Sequence, residues 1–530
     1  MIVEVTKRDY IAAGAAAIII LVLFLPSILV HFNTTKTSDE DKPIINKLSK
    51  LAEENRWFRD AQSKLKQRVK RSPNSDVRAK NIIFFLGDGM GISTLTAARK
   101  LKNQRLNPSN IGIEEQSLSF ENFPDVSLVK TYCSDHLVAD SACSATAYLT
   151  GIKGNKDTIG VSDAVKLDDC EAQLDPDNHQ FTSLLYWAQE GDKVTGVVTT
   201  DRLTGASPSG TFAHTANRDW ENDQETPEDC PDIASQLIRN RPGNMFRVIL
   251  GGGGMNFNNS GHHSDGRTDG SDLITEWINN REAESQSYEF VNNRRDLVAV
   301  DVNETDYLFG IFNEDEFLYK LDIGDDHEIQ PRLFEMTGKA LEILQRHDEG
   351  FVLFIEAAHI DKAHHENWAK KALEEVLELD KAVTTALEMV NTNETLIIVT
   401  ADHSHSLTIS GYPRREYDIL SFDGGEDSQQ VTDEAPQHFY PTLMYATGPG
   451  TKHSSYDVSR DERLRDKDFV YPSTVFRESA SHQGEDVALY AVGPQSHLFN
   501  GLIDQHLIPH ILGYAGCIGN GLTLCDKITT

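Results

Sequence analysis

Cysteine is scarce: six in 530 residues are too few for a disulfide scaffold, and six allow about 15 complete pairings, so spacing alone fixes no partners. Basic residues are also few, with 50 Lys+Arg against 82 Asp+Glu and a formal net charge of −32. Such a surface repels the phosphates of DNA and RNA, which excludes generic nucleic-acid binding. No internal repeat is visible. The carboxyl end, from Leu524 to Thr530, has no apolar tail after a small-residue site, so no glycolipid anchor is expected.

What is present narrows the class further. At 39% hydrophobic and 25% charged, the chain is too large and too apolar for a hormone, a lone binding motif or a solvating tail. The charge is uneven: residues 41 to 80 carry 12 basic and 5 acidic side chains (+7), and residues 1 to 40 carry 3 and 4 (−1). The remaining 450 residues therefore hold −38. From Ile11 to Val30 there is no charge, and at about 1.5 Å per residue this run covers roughly 30 Å, enough to cross a membrane. It ends Ile28-Leu29-Val30-His31-Phe32 without a small-x-small cleavage site, so an uncleaved signal anchor is expected, with a cleaved signal peptide as the alternative. Residues 1–10 are then a short tail and residues 31–78 a neck with an amphipathic arm helix over 44–71 that Pro73 ends. The stretch Arg68-Val69-Lys70-Arg71 has the form of a processing site, although a charge run also reads as a solvated helix face. Sequons at Asn33, Asn258, Asn303 and Asn393 fit an exported body.

Beyond the neck, short apolar runs at 82–86, near 194–200, near 246–252, at 351–356 and at 396–400 alternate with helical patterns such as 373–390. Strand, helix, strand in this order predicts an α/β fold, a sheet flanked by helices on both faces. Residues 411–478 break the rhythm and read as an inserted loop-rich subdomain.

Three of the runs finish in acids or histidines, and ligands of open α/β sheets bind outside the carboxyl ends of the strands. The first is followed by Gly87-Asp88-Gly89, whose glycines let the chain turn so that one carboxylate enters the cleft. The second ends in Glu356 and continues through Asp361, Lys362, His364 and His365; the spacing of Asp361 and His365 puts both on one face of a helix. The third is followed by Asp402-His403-Ser404-His405, and His482 precedes a further apolar run. Carboxylate and imidazole without cysteine is the donor set of catalytic zinc, and oxygen-only positions suit magnesium. Chemistry alone leaves His364 and His405 open as ligands. Asp140-Ser141-Ala142-Cys143 supplies a serine at the start of a small-residue helix, where unpaired N–H groups favour an anion. By itself it reads as an ordinary N-cap, and beside the metal clusters as a nucleophile. Cys133 and Cys143 flank this segment, and Cys143 reads as a small buried residue beside the helix start. Cys517 and Cys525 close a short glycine-rich loop suited to a bridge, and Cys170 and Cys230 sit in polar, turn-rich stretches.

From about Leu51 to Asp526 the sequence resembles the alkaline phosphatase family, its animal membrane or secreted branch best. The motifs are FFLGDGMG, DSACSATAYLTG, VVTTDRLTGASPSGTFAHTANRDW, FIEAAHIDKAHHE, VTADHSH and SHQGEDVALYAVGP. The resemblance implies a catalytic domain over 79–526 with a crown-like insertion at 411–478, and hydrolysis of phosphate monoesters at alkaline pH through a phosphoserine on Ser141. It implies two zinc ions, one held by Asp361, His365 and His482, the other by Asp88, Asp402, His403 and the Ser141 oxygen. One magnesium would use Asp88, Ser207 and Glu356, leaving His364 and His405 outside the direct shell. Arg218 would grip two phosphate oxygens, and Asp140 would orient Arg218. The likeness also implies a homodimer embraced by the arm, disulfides Cys170–Cys230 and Cys517–Cys525, and an extracellular domain held at the cell membrane, secreted if the anchor or the Arg68–Arg71 site is cut. Cys133 and Cys143 are left unassigned.

Two departures stand out. Gly205 lies where vertebrate relatives carry a histidine and some bacterial ones an aspartate that holds water on magnesium, so a weaker magnesium site is expected, tightened by Gly205→His. Lys362 follows the bacterial pattern, in which a lysine touches phosphate through water. Calcium is not expected, because Asn313 and Gln330 stand at two positions where its acids would be. A two-zinc nucleotide phosphodiesterase favours a threonine nucleophile and lacks the Ser207/Arg218 pair. An idle cell-surface receptor or adhesion protein keeping the fold has no need of Ser141 with every metal ligand.

Overall fold

The five apolar runs are strands. In the computed structural model, which describes residues 53–71, 76–106, 116–175, 181–258, 261, 263–323, 330–421, 440–452 and 462–527, they become β1 (Asn81–Gly87), β3 (Val194–Arg202), β4 (Val248–Gly252), β7 (Phe351–Ala357) and β8 (Thr395–Thr400). Every residue of β4, β7 and β8 is buried. Since alternate side chains face opposite ways, continuous burial means that both faces of the sheet are covered, and this is why these segments read as unbroken apolar runs.

The sheet is completed by β2 (Asp125–Lys130), β5 (Tyr288–Val291), β6 (Tyr307–Ile311), β14 (Val487–Val492) and β15 (Gly501–Asp504). Its ten strands run in the order β15-β2-β14-β8-β1-β7-β3-β4-β6-β5. All neighbours are parallel except the two pairings of β14, with β2 and β8. The mostly parallel α/β sheet predicted from the sequence is therefore the observed one, with the partly exposed β2, β5 and β15 and the buried β6 added to the strands that its apolar runs announce. The four strands that precede acids, β8, β1, β7 and β3, are contiguous in the middle.

Helix α1 (Arg56–Arg71) buries Phe58, Ala61 and Leu65, one side of an otherwise charged helix. It packs on its own chain: Arg56 pairs with Asp163 at 2.9 Å and Lys64 with Asp504 at 2.8 Å. Arg68 donates to the carbonyls of Leu498, Asn500 and Leu502 at 2.9, 2.7 and 3.0 Å. The expected processing site is thus the last helical turn, which has to open before a protease can bind it extended. Helices α2 (Ile92–Leu106), α5 (Leu333–Leu344) and α7 (Ala369–Met389) pack together over the sheet, while α3 (Ser141–Thr150), α4 (Ala206–Ser209) and α8 (Ile508–Gly516) form another group. The short α6 (His359–His365) leaves β7 directly.

The predicted insertion contains a small sheet of β10 (Leu407–Ile409), β11 (Leu443–Gly448) and β12 (Ser473–Phe476). Next to it, β9 (Ser404–His405) pairs antiparallel with β13 (His482–Gln483). The charge-free run 11–30 and Asn33 lie outside the described residues. Among the described residues no helix is long and apolar enough to cross a membrane.

All six cysteines are paired, as Cys133–Cys143, Cys170–Cys230 and Cys517–Cys525. Cys143 is buried, as expected, but it is half of a bridge rather than a lone packing residue. Spacing could not reveal this, because the bridge depends on the loop 133–140 folding back on the start of α3.

Candidate active site

The register brings four strand ends to one edge: Leu86 lies beside Glu356 and Thr400, and Glu356 beside Thr199. Asp88 follows β1 in a tight turn whose Gly89 has φ +67°. A Cβ on Gly89 would sit 2.9 Å from the Asp361 backbone, so both the left-handed conformation and the close approach demand glycine. The Gly89 N–H donates to Asp402 Oδ1 at 3.0 Å, tying the ends of β1 and β8 together. Glu356 accepts at Oε2 from Thr199 Oγ1 at 2.5 Å.

On α6, one helical turn sets His365 Nε2 3.2 Å from Asp361 Oδ2. His482, opposite His405 in the β9–β13 pairing, reaches within 3.1 Å of His365 Nε2 and 3.6 Å of Asp361 Oδ1. His403 Nε2 lies 3.1 Å from Asp402 Oδ2 and 3.6 Å from Asp88 Oδ1. Two groups result, Asp361/His365/His405/His482 and Asp88/Asp402/His403, each with its donor atoms within 4.8 Å of one another. His405 belongs to the first through a short contact of Nε2 with Asp361 Oδ1, nearer the site than the sequence reading put it. His364 is buried behind, between Thr94 Oγ1 at 3.0 Å and Tyr445 Oη at 2.8 Å. Cys133, Asp140 and Cys143 also cluster, but the disulfide leaves no thiolate to bind a metal.

The charges are crowded. Burial, then the charges of Asp402, Asp361 and Glu356, push Asp88 well above the usual carboxylate range. Burial, followed by the Asp361 charge, lifts Asp402 to about 7, and burial, followed by Asp201, lifts Glu356 to about 8. Asp361 goes the other way: burial opposes its charge, but the imidazoles of His365 and His405 hold it well below the usual range. Asp88 Oδ1, Asp402 Oδ2, Glu356 Oε1 and Ser207 Oγ are buried without a directed hydrogen bond. Buried oxygens left in this state are costly unless something binds them, and these donors suit metal cations.

Ser141 opens α3. Its neighbour Asp140 caps the helix, with Oδ2 accepting from Ala142 N at 3.1 Å and Oδ1 from Cys143 N at 3.2 Å. Asp140 Oδ2 also accepts from Arg218 Nη1 at 3.2 Å. Burial works against the Asp140 charge, but Arg218 and the cap N–H groups keep its pKa lowered. Ser141 Oγ stands 3.3 Å from His403 Nε2. Ser207 lies on α4 beside the buried Tyr148, which also feels the charges of Asp402, Glu356 and Asp88. Each predicted site residue thus falls in one region around the strand ends.

The two departures take a different form from the expected one. Gly205 leaves no gap, because a Cβ there would lie 2.3 Å from Asp201 Oδ2. Lys362 is spent on an ion pair with Asp201 Oδ1 at 2.8 Å and a short contact with Glu316. The motifs do not single out Asp201 or Glu316, although Asp201 carries the same signal as the other acids, a carboxylate at the end of an apolar run, one residue beyond Thr200. Asn313 and Gln330 are engaged by backbone: Asn313 donates to Glu316 O at 2.6 Å, and Gln330 bonds both the N–H and the carbonyl of Leu318.

A doubly covered, mostly parallel sheet with a capped serine and two carboxylate–imidazole groups able to hold metal ions at its strand ends is the arrangement of an α/β hydrolase. The alkaline phosphatase family model matches residues 79–518. The membrane-bound alkaline phosphatase of Bombyx mori is 39% identical over 492 residues, covering 89% of this chain and 87% of that protein. The tissue-nonspecific isozyme of Homo sapiens is 38% identical over 492 residues, covering 88% and 90%. Among solved structures, alkaline phosphatase from Thermus thermophilus matches with a TM-score of 0.60 at 21% identity, covering 87% of this chain and 97% of that one. The chain belongs to the alkaline phosphatase family and hydrolyses phosphate monoesters.

Proposed function

We propose that Ser141 is the nucleophile and forms a phosphoserine. The observation that carries this is the capped start of α3, where Ser141 Oγ lies 3.3 Å from His403 and Asp140 holds Arg218 beside it. In this reading Arg218 lays its planar fork on two phosphate oxygens, a geometry lysine does not reproduce. The N–H groups at the start of α3 add positive potential toward the same oxygens. Ser141 Oγ attacks phosphorus, the bond to the alcohol breaks, and water then cleaves the phosphoserine to release phosphate. Asp361, His365 and His482 are assigned to one zinc, Asp88, Asp402 and His403 to a second, and Asp88, Ser207 and Glu356 to magnesium, oxygen donors suiting the harder ion. Bound cations would offset the crowded carboxylates, acidify the nucleophile and clamp the transferring phosphoryl group.

Release of phosphate from an aryl monoester, with and without chelator, tests this. Ser141→Ala should lose about 10³-fold or more in kcat while still binding phosphate and its metals. Turnover by Ser141→Ala near the parent rate would refute the assignment.

The protein is further proposed to act as a homodimer on the outer side of the cell membrane, anchored through residues 11–30 or released if that segment or the Arg68–Arg71 turn is cut. The name of the Bombyx mori relative supports the membrane part, and the disulfides support an oxidising compartment. Asn303 and Asn393 are exposed, which suits glycan addition.

A further inference from the structure

The end of β3 carries a carboxylate that the assigned ligand sets leave unused. Asp201 is buried, and its backbone N–H donates to Thr199 Oγ1 at 2.8 Å, the hydroxyl that holds Glu356 Oε2. One oxygen of Asp201, Oδ2, fills the space over Gly205, and the other, Oδ1, meets Lys362. Gly205 caps α4 with φ −59°, so its backbone would tolerate another residue, and it is the Asp201 carboxylate that occupies the volume. Thr199 links it to Glu356 and Gly205 to the helix that carries Ser207, and Glu356 Oε1, Ser207 Oγ and Asp88 Oδ1 are buried with no directed hydrogen bond. Against its burial, Lys362, shared with Glu316, and Arg202 hold the Asp201 carboxyl ionised, well below the usual carboxylate range, and an ionised acid beside such oxygens adds to their repulsion unless a cation is among them.

We infer that Asp201 is a positioning residue for the oxygen-bound cation, its carboxylate reaching from the end of β3 to orient water on that ion from the space a side chain at position 205 would otherwise fill. This rests on the magnesium reading of Asp88, Ser207 and Glu356. Lys362 then holds Asp201 in place rather than reaching toward the substrate. Side chains that orient a metal's ligands in this way typically contribute about 10- to 100-fold in affinity.

The test strips the full-length protein with chelator, restores zinc, and titrates magnesium by calorimetry, with bound metal counted by mass spectrometry. Asp201→Ala and the isosteric Asp201→Asn should each weaken magnesium binding by about tenfold or more, with zinc content unchanged. The double variant Asp201→Ala/Gly205→Asp, which moves the carboxylate four residues along the chain into the same space, should restore affinity to within about threefold of the parent. Parent-like magnesium binding by both single variants overturns the inference. So does failure of the double variant to recover, because a role confined to the Lys362 ion pair or to folding would not be rescued from position 205. A parent protein that binds zinc but no magnesium sinks the underlying assignment instead, and is told apart because it appears before any substitution.

Discussion

At the residue scale, Arg218 illustrates how one side chain depends on another's geometry. Asp140 has two tasks at once, capping α3 and accepting from Arg218, and in the proposed reading this aims the guanidinium before substrate arrives. Arg218→Lys keeps the charge but loses the fork, and should lower kcat/KM by about 10- to 100-fold with weaker inhibition by inorganic phosphate; unchanged steady-state constants would remove Arg218 from the site. These residues were legible because each sits in a long ordered motif. Asp201 was not, because its part depends on what stands four residues away: a glycine in the sequence looks like a missing group, whereas in three dimensions its space is filled from elsewhere.

At the element scale, the loop from Cys133 to Asp140 does more than connect. Ala139 O lies 2.9 Å from His482 Nδ1, Asp140 caps α3, and the Cys133–Cys143 bridge closes the segment. Replacing both cysteines by serine should cost about 2–3 kcal/mol by the loop-entropy relation and should lower kcat by freeing Asp140 and His482 together. Equal melting temperature and equal kcat in the double variant would show that packing alone holds the loop. Helix α1 offers a second case. Its Trp57 and Asp60 meet His506, the latter at 3.0 Å, and Gln62 meets His510 at 3.1 Å. Burial, then the Lys153 charge, lowers His506 to about 4, and burial lowers His510 to about 3. With both folded values below the ordinary histidine value of about 6.5, detachment of α1 takes up protons, so docking is strongest above that pH and is lost as pH falls toward 4. Hydrogen exchange at Ala61 and Leu65 should accelerate over this window more than exchange in β7; a uniform change across the molecule would count against a local effect.

At the scale of the whole molecule, the −32 balance and the anionic substrate are reconciled at the cleft. Asp88, Glu356, Asp361 and Asp402 bring −4, while the three proposed divalent ions would bring +6 and Arg218 +1, so the local sign reverses although the body stays acidic. Without metal, Asp402 and Glu356 titrate near 7 and 8, above their unfolded values of about 4. The fold then retains protons that the unfolded chain has released, so above the ordinary histidine value of about 6.5, where the lowered histidines are neutral in both states, stability of chelated protein should fall as pH rises to about 8. Metal-loaded protein, whose ligands are already ionised, should lack that slope. Calorimetric melting curves of both forms across this range check it, and parallel curves would disprove the idea.

The sequence by itself determined the covered parallel sheet, because strands buried on both faces must be continuously apolar, and it determined that the candidate ligands gather at the strand ends, because the acids and histidines follow those runs directly. It also carried the i, i+4 pairing of Asp361 with His365, a purely local geometry. Only the tertiary structure decided the rest, and each case is a contact between distant segments. The antiparallel meeting of β9 and β13 sets His405 and His482 against Asp361, a folded-back loop joins Cys133 to Cys143, and α1 lies on α8 of its own chain. The volume over Gly205 belongs to Asp201 for the same reason: which side chain fills a space is set by packing, and packing is not written at any single position.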